Sequence, residues 1–239
     1  MNGLIALLGS GEYLPVMDDV DRYLLANCGS KNEKPRVVCL PTAAGQEGDA
    51  SVSRWSKMGF DHFQRLGADV QAVPVIDAES ANDPRWESAL ENADLIYFSG
   101  GNPAYLYKTM NESRVWAAAQ KAWTRGAAYA GCSAGAMILS QQMPGFRTPG
   151  QQSQNAFGIL SVKFTIPHFD AIPGIRIPLI FALRRALKDG EIILGIDENT
   201  ALIGKLNAKW KVMGASKVHL FTRAGEQVYK DGETLLLPA

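Results

Sequence analysis

The chain predicts an α/β fold: a mostly parallel sheet flanked by helices, with an antiparallel extension at its C-terminal end. Three observations lead there. Short β-like runs alternate with longer segments of helical period through the first 130 residues, the pattern of parallel strands joined by crossover helices. Several of these strands run directly into Gly, Ser or Thr, as turns at the carboxyl edge of such a sheet require. After residue 190 the rhythm shortens to strand, turn, strand, which reads as antiparallel hairpins.

The strand candidates of the first part are 4–8, 36–40, 70–75, 94–98 and 127–130. Segments 16–26, 52–66, 86–90 and 115–123 carry apolar residues at helical spacing. The loops Gly9-Ser10-Gly11, Pro41-Thr42, Ser99-Gly100-Gly101 and Gly131-Cys132-Ser133 follow strands. In an open sheet of this class they converge on one crevice. The tail offers strands at 191–196, 201–204, 209–213, 217–221 and 233–237, with turn residues at Asn207, Gly214, Gly225 and Asp231-Gly232. The polar stretch 141–158, rich in Gln, Pro and Gly, reads as a long loop.

Bulk properties narrow the function classes. With 239 residues and 46% hydrophobic composition, one α/β domain spanning 1–239 is expected. The 24 basic and 24 acidic residues balance without long runs of either sign, so neither nucleic acid nor a membrane surface is an expected partner. No apolar run approaches the ~20 residues of a membrane helix, and the N-terminal stretch lacks the features of a signal peptide, so a cytoplasmic protein is expected. Cys28, Cys39 and Cys132 form neither a disulfide framework nor a zinc motif. The histidines lack metal-ligand spacing, so no metal or other cofactor is expected. Gly9-Ser10-Gly11 is followed by Leu14 where a dinucleotide fingerprint needs glycine.

The most specific local pattern is Gly131-Cys132-Ser133-Ala134-Gly135, between an apolar strand candidate and the helix-forming run Ala136-Met137-Ile138-Leu139. This is the spacing of a nucleophile elbow, in which a serine sits on a sharp strand-to-helix turn and the next N–H points at a developing oxyanion. Ser133 has glycines at both −2 and +2, whereas Cys132 is flanked by alanines; serine holds the register, and Cys132 reads as a buried thiol. A serine needs a base, and the chain has only His62, His168 and His219. His62 falls in a helical segment and His219 in an apolar strand, while His168 follows a strand in a loop, the usual place for catalytic groups. No Asp or Glu lies between Ala134 and Pro167, so an acid that orients His168 from beyond the elbow comes later. Asp197 and Glu198, at the end of the run 192–196, both qualify, and Asp170 is too near in sequence to reach round the ring. An α/β-hydrolase order using Ser133, Asp197 and His219 is a second arrangement the sequence permits.

Four motifs together, Phe98-Ser99-Gly100-Gly101-Asn102, Gly131 to Ala136, His168-Phe169 and Gly195-Ile196-Asp197-Glu198-Asn199-Thr200-Ala201-Leu202, resemble the S51 serine peptidases, which include aspartyl dipeptidase and cyanophycinase. They occur in family order, and Gly9-Ser10-Gly11-Glu12 also fits. The resemblance implies a fold similar to class I glutamine amidotransferases, with a flavodoxin-like core. It implies a Ser133, His168, Glu198 triad and an oxyanion hole formed by the N–H groups of Gly101 and Ala134. It also implies a small peptide substrate carrying aspartate, either an Asp-X dipeptide or a β-aspartyl-arginine unit. Such a carboxylate calls for an arginine fork, for which Arg176, Arg184 and Arg185 are the candidates, with Asn102 as a further substrate contact. The segment around His168 departs from cyanophycinase, which has an acid two residues before the histidine and several arginines closely after it. A monomer or homodimer is expected. A relative that binds a small ligand in the crevice without catalysis is the reading from another class.

Overall fold

The structure, a computed structural model, describes residues 2–145, 152–172, 176–185 and 187–238, with the side chains of 176–179 outside the description. The first part is laid down as β1 (Ile5–Leu8), α1 (Asp18–Asn27), β2 (Arg36–Leu40), α2 (Asp49–Arg65), β3 (Asp69–Ala72), α3 (Glu87–Glu91), β4 (Leu95–Phe98), α4 (Pro103–Met110), α5 (Arg114–Arg125), β5 (Ala128–Cys132) and the single turn α6 (Ala134–Met137). Then come β6 (Gln142–Met143), β7 (Gln154–Asn155), β8 (Phe164–Ile166), α7 (Arg176–Arg185), β9 (Ile193–Ile196), β10 (Thr200–Gly204), β11 (Lys209–Gly214), β12 (Lys217–Phe221), β13 (Glu226–Lys230) and β14 (Thr234–Leu236).

The main sheet has the order β14-β11-β10-β1-β5-β4-β2-β3. From β1 to β3 every pairing is parallel. β1 pairs β10 antiparallel, and β11 and β14 continue that sense. The expected antiparallel extension is therefore present, but only half of the tail joins this sheet. β9, β12 and β13 form a second sheet with β8, in the order β13-β12-β9-β8. The strand β13 was not anticipated: Glu226, Gln227 and Val228 are exposed, so it carries little of the apolar alternation by which strands are read.

The central strands are buried on both faces, which explains their near-continuous apolar sequences. Side chains alternate between two cores. Ile5, Leu7, Val38, Leu40, Ile96, Phe98 and Tyr129 face one core with Leu106 and Met110 of α4 and Val115 and Trp116 of α5. Ala6, Leu8, Val37, Cys39, Leu95, Tyr97 and Ala130 face the other with Val20 and Leu24 of α1 and Phe63 of α2. Helices thus cover both sides. The ends of α4 and α5 are set by side-chain caps: Asn102 Oδ1 accepts from Tyr105 N–H and Ser113 Oγ from Trp116 N–H, each satisfying an otherwise unpaired helix donor. Helix α4 was not anticipated; its eight residues follow the Ser99-Gly100-Gly101 turn with Pro103 at the first helical position.

In the antiparallel half, Trp210 is 1% exposed and lies so close over β10 that a methyl on Gly204 would fall 2.5 Å from its ring. Removing that ring leaves a cavity the surrounding sheet cannot fill. Trp210→Ala is expected to cost about 3–5 kcal/mol of unfolding free energy, measured by urea denaturation.

Candidate active site

Five parallel strands deliver their carboxyl ends to one edge of the main sheet, and Ser133 follows β5, which lies between β1 and β4. Its backbone is left-handed, φ 49° and ψ −104°, a conformation uncommon for any residue but glycine. Its N–H donates to Leu8 O at 2.9 Å, tying the elbow to β1. The flanking glycines are steric requirements: a methyl on Gly131 would fall 2.4 Å from the Gly135 carbonyl, and one on Gly135 2.9 Å from Phe98 O. The expected helix after the elbow is one turn, α6, because the chain leaves it for the β6–β7 pair.

His168 is also left-handed, φ 50° and ψ 37°, and starts a 3-10 turn. Its N–H donates to Gly9 O at 3.3 Å, which places the ring over the end of β1. Nδ1 lies 2.8 Å from Glu198 Oε1 and Nε2 lies 3.1 Å from Ser133 Oγ. With Glu198 as a carboxylate, Nδ1 carries the proton and Nε2 is left to accept from the serine hydroxyl. Glu198 N–H in turn donates to Asp170 Oδ1 at 2.8 Å, so Asp170 holds the acid in place rather than serving the imidazole itself.

Asp197 and Glu198 point apart, as neighbours at a strand end do. Asp197 is buried, accepts from Ser216 Oγ–H at 2.7 Å and lies 3.3 Å from His219 Nε2. His219 Nδ1 reaches Glu226 Oε1 at 2.7 Å, and its ring packs on Phe169, centroids 4.7 Å apart. The Ser133, Asp197, His219 arrangement permitted by the sequence is therefore excluded: Ser133 is engaged by His168, and His219 is spent on linking β9, β12 and β13.

Gly100 and Gly101 lie beside the serine. A methyl on Gly100 would fall 3.3 Å from Ser133 Cβ, and one on Gly101, at φ 142°, 2.4 Å from Ala43 O. Among the described residues, the N–H groups of Gly101 and Ala134 meet no acceptor of the protein. The adjoining cleft, about 400 Å³, is lined by Asn102, Ser133, Met137, Met143, Gln154 and His168, among others. Asn102 reaches the cleft, though its carbonyl oxygen is committed to capping α4.

Two of the expected arginines are elsewhere. Arg184 Nε donates to Thr222 O at 3.1 Å, and the Arg185 guanidinium stands 5.6 Å from the centre of the Phe181 ring; neither lines the cleft. Their positions late in α7 direct them to β12 and to their own helix. Arg176 opens α7, and its side chain lies outside the described residues. Residues 146–151 of the polar stretch also lie outside them. Cys132 is fully buried, and burial, reinforced by Glu12, pushes its thiol well above the ordinary range, so it is no nucleophile.

Comparison with known proteins makes this chain a peptidase. The family model described as Peptidase family S51 matches residues 5–206, and the chain belongs to that family. A peptidase from an acI-B1 Actinobacterium, known from a crystal structure, is 36% identical, with a TM-score of 0.86 over 98% of this chain and 97% of that one. The Bacillus subtilis protein described as uncharacterized peptidase YgaJ is 28% identical over 171 residues, 71% of this chain and 70% of its own. A peptidase E-type protein from Listeria monocytogenes EGD-e shares the fold, with a TM-score of 0.66 at 17% identity over 90% of this chain and 100% of that one. No helix among the described residues is long and apolar enough to cross a membrane.

The Asp197–His219–Glu226 group makes stability depend on pH. Burial works against the His219 imidazolium, but hydrogen bonds to Asp197 and Glu226 outweigh it and raise its pKa. Burial likewise opposes the Asp197 carboxylate, and the bonds from His219 and Ser216 outweigh it and lower its pKa. The His219 contribution is full below its unfolded value of about 6.5 and is lost as pH rises through the higher folded value. The Asp197 contribution is present above its unfolded value and is lost as pH falls through the lower folded one. The melting temperature is expected to fall from pH ~6.5 upward, with His219→Gln flattening that limb.

Proposed function

We propose that this peptidase is a serine enzyme in which Ser133 is the nucleophile, His168 the general base and Glu198 the orienting acid. The observation that carries the reading is the unbroken chain from Glu198 through His168 to Ser133, at 2.8 and 3.1 Å. Both distances fall within the reach that nucleophile and base require.

His168 Nε2 takes the hydroxyl proton as Ser133 Oγ attacks a peptide carbonyl carbon. The carbonyl electron pair moves to oxygen, which sits against the N–H groups of Gly101 and Ala134. Collapse of the tetrahedral adduct breaks the C–N bond, and the imidazolium hands its proton to the leaving amine. Water then enters. His168 accepts a proton from it as it attacks the ester, and the imidazolium returns that proton to Ser133 Oγ as the carboxylic acid leaves. Glu198 stabilises the imidazolium in both halves and keeps the ring in the tautomer that accepts from serine.

The cleft, about 400 Å³, has room for a short peptide. Its described lining is neutral, with Asn102 and Gln154 as polar groups and Met137 and Met143 as apolar ones. An Asp-X preference, which the family resemblance supports, then rests on Arg176 at the start of α7, the remaining arginine of those the sequence singles out. The β-aspartyl-arginine reading has less support, since no acid among the described lining residues faces a substrate guanidinium.

Hydrolysis of Asp-Leu, Glu-Leu, Leu-Leu and β-Asp-Arg by wild type and Ser133→Ala tests the reading. Cleavage of Asp-Leu is expected, with a loss on the order of 10⁶-fold in Ser133→Ala. Arg176→Ala is expected to weaken Asp-Leu at least about tenfold relative to Leu-Leu. Activity that persists in Ser133→Ala, or a folded wild type silent on all four peptides, contradicts the serine mechanism or the substrate class respectively.

A further inference from the structure

Glu12 is a buried carboxylate that the mechanism above does not use. It follows Gly9-Ser10-Gly11 at the end of β1, between Gly11 at φ 85° and Tyr13 at φ 65°. The left-handed Tyr13 is held by its ring, which packs on Tyr97 at 5.0 Å and edge-on to Phe63 at 6.2 Å. Leu14 N–H closes the turn on Gly11 O at 3.0 Å. A strained turn held by packing in this way directs a side chain that an ordinary loop would leave in water. Here it sends the Glu12 carboxylate inward, where the residue is 9% exposed.

Each carboxylate oxygen has one partner, and the two partners come from different loops. Oε1 accepts from Gly100 N–H at 2.9 Å. Oε2 accepts from the Cys132 thiol, its Sγ 2.8 Å away. The thiol can donate because burial keeps it protonated. Gly100 is one peptide unit before the Gly101 N–H, and Cys132 is the residue before Ser133. The packing leaves no slack, since a methyl on Gly100 would lie 2.8 Å from Glu12 Oε1 and 3.3 Å from Ser133 Cβ.

We propose that Glu12 is the positioning residue of the oxyanion site, one carboxylate that sets the Gly100–Gly101 turn and the Cys132–Ser133 elbow at a fixed separation. The role rests on the serine peptidase reading above. The two oxyanion donors belong to different loops, and their spacing decides whether both reach the same oxygen; a shift of about 1 Å in either is enough to cost much of the rate. No backbone hydrogen bond among the described residues joins Gly100 or Gly101 directly to the elbow. A carboxylate supplies two acceptors in one plane, which is what a bridge between two donors needs. Glutamine keeps an acceptor for Gly100 N–H and can donate to the Cys132 sulfur; aspartate has the charge and lacks the reach.

The test compares wild type, Glu12→Ala, Glu12→Asp, Glu12→Gln and, as the blank, Ser133→Ala. The probe is p-nitrophenyl acetate, an activated ester whose hydrolysis through Ser133 does not depend on the peptide pocket. Folding of each variant is checked by thermal melting, and amide hydrogen exchange is followed over residues 98–102. Glu12→Ala and Glu12→Asp are expected to lose about 10- to 100-fold in Ser133-dependent rate and to exchange the Gly100 amide faster. Glu12→Gln is expected to stay within about threefold of wild type in rate, a rescue that a role in net charge would not show. If Glu12→Ala does not fold, Glu12→Asp against Glu12→Gln carries the comparison.

Wild-type rates in folded Glu12→Ala or Glu12→Asp overturn the proposal, as does a Glu12→Gln as slow as Glu12→Asp. A wild type whose ester hydrolysis survives in Ser133→Ala overturns the serine-nucleophile reading itself, a result visible before any Glu12 variant is compared.

Discussion

The site depends on a close crossing of backbones at Ser133. For the serine to rise above the sheet edge, β5 must turn into α6 within one residue, and that residue must take a left-handed φ. Such a conformation costs a non-glycine residue of order 1–3 kcal/mol and survives only where the surroundings leave no alternative. They leave none here. Leu8 O holds the Ser133 N–H, Gly131 and Gly135 approach within distances that exclude a methyl, and β5 is buried along its whole length between two parallel neighbours. Phe98 stacks on Tyr129 on one face, while Ala130 and Cys132 fill the other.

The end of β1 joins the two halves of the molecule around that crossing. Gly9 accepts from His168 N–H and donates to Thr200 O, and a methyl on it would fall 2.1 Å from Asp197 O. The residue after β1 thus brings together the loop after β8, which carries His168, and the loop after β9, which carries Glu198. Asn199, left-handed at φ 53°, bonds through its N–H to Ser10 Oγ. Glu198 is therefore fixed by its neighbours on both sides. The second sheet contributes from behind: β8 and β9 are parallel, so both of their carboxyl ends face the elbow, and His219 locks Asp197 of that loop to β12 and β13.

Much of this was legible in the chain. The parallel strands could be read because burial on both faces makes them continuous apolar runs, and the elbow because its glycine spacing is a local steric rule. His168 followed from the scarcity of histidine and from its place after a strand. Which of Asp197 and Glu198 meets His168 could not be read from composition or position, since both end the same strand; in the structure Asp197 faces β12 and Glu198 faces His168. The division of the tail into two sheets was equally hidden, because β9 and β10 are separated by only three residues and join different sheets. Glu12 and Asp170 show the same limit. Glu12 meets Gly100 and Cys132 across 88 and 120 residues of chain, and Asp170 meets the backbone of Glu198 across 28. Neither spacing leaves a periodic or local pattern. Arg184 and Arg185 were misplaced for the converse reason: a charge pair on a helix says nothing about which way the helix faces.

The central claim is that Ser133 is a nucleophile activated through His168 and Glu198. Its most direct measurement is the reaction of the folded protein with a fluorophosphonate, followed by mass mapping of the adduct. The account predicts a single adduct on Ser133, formed in wild type and lost in His168→Ala. An adduct on another residue, or labelling of Ser133 that is indifferent to His168, contradicts it.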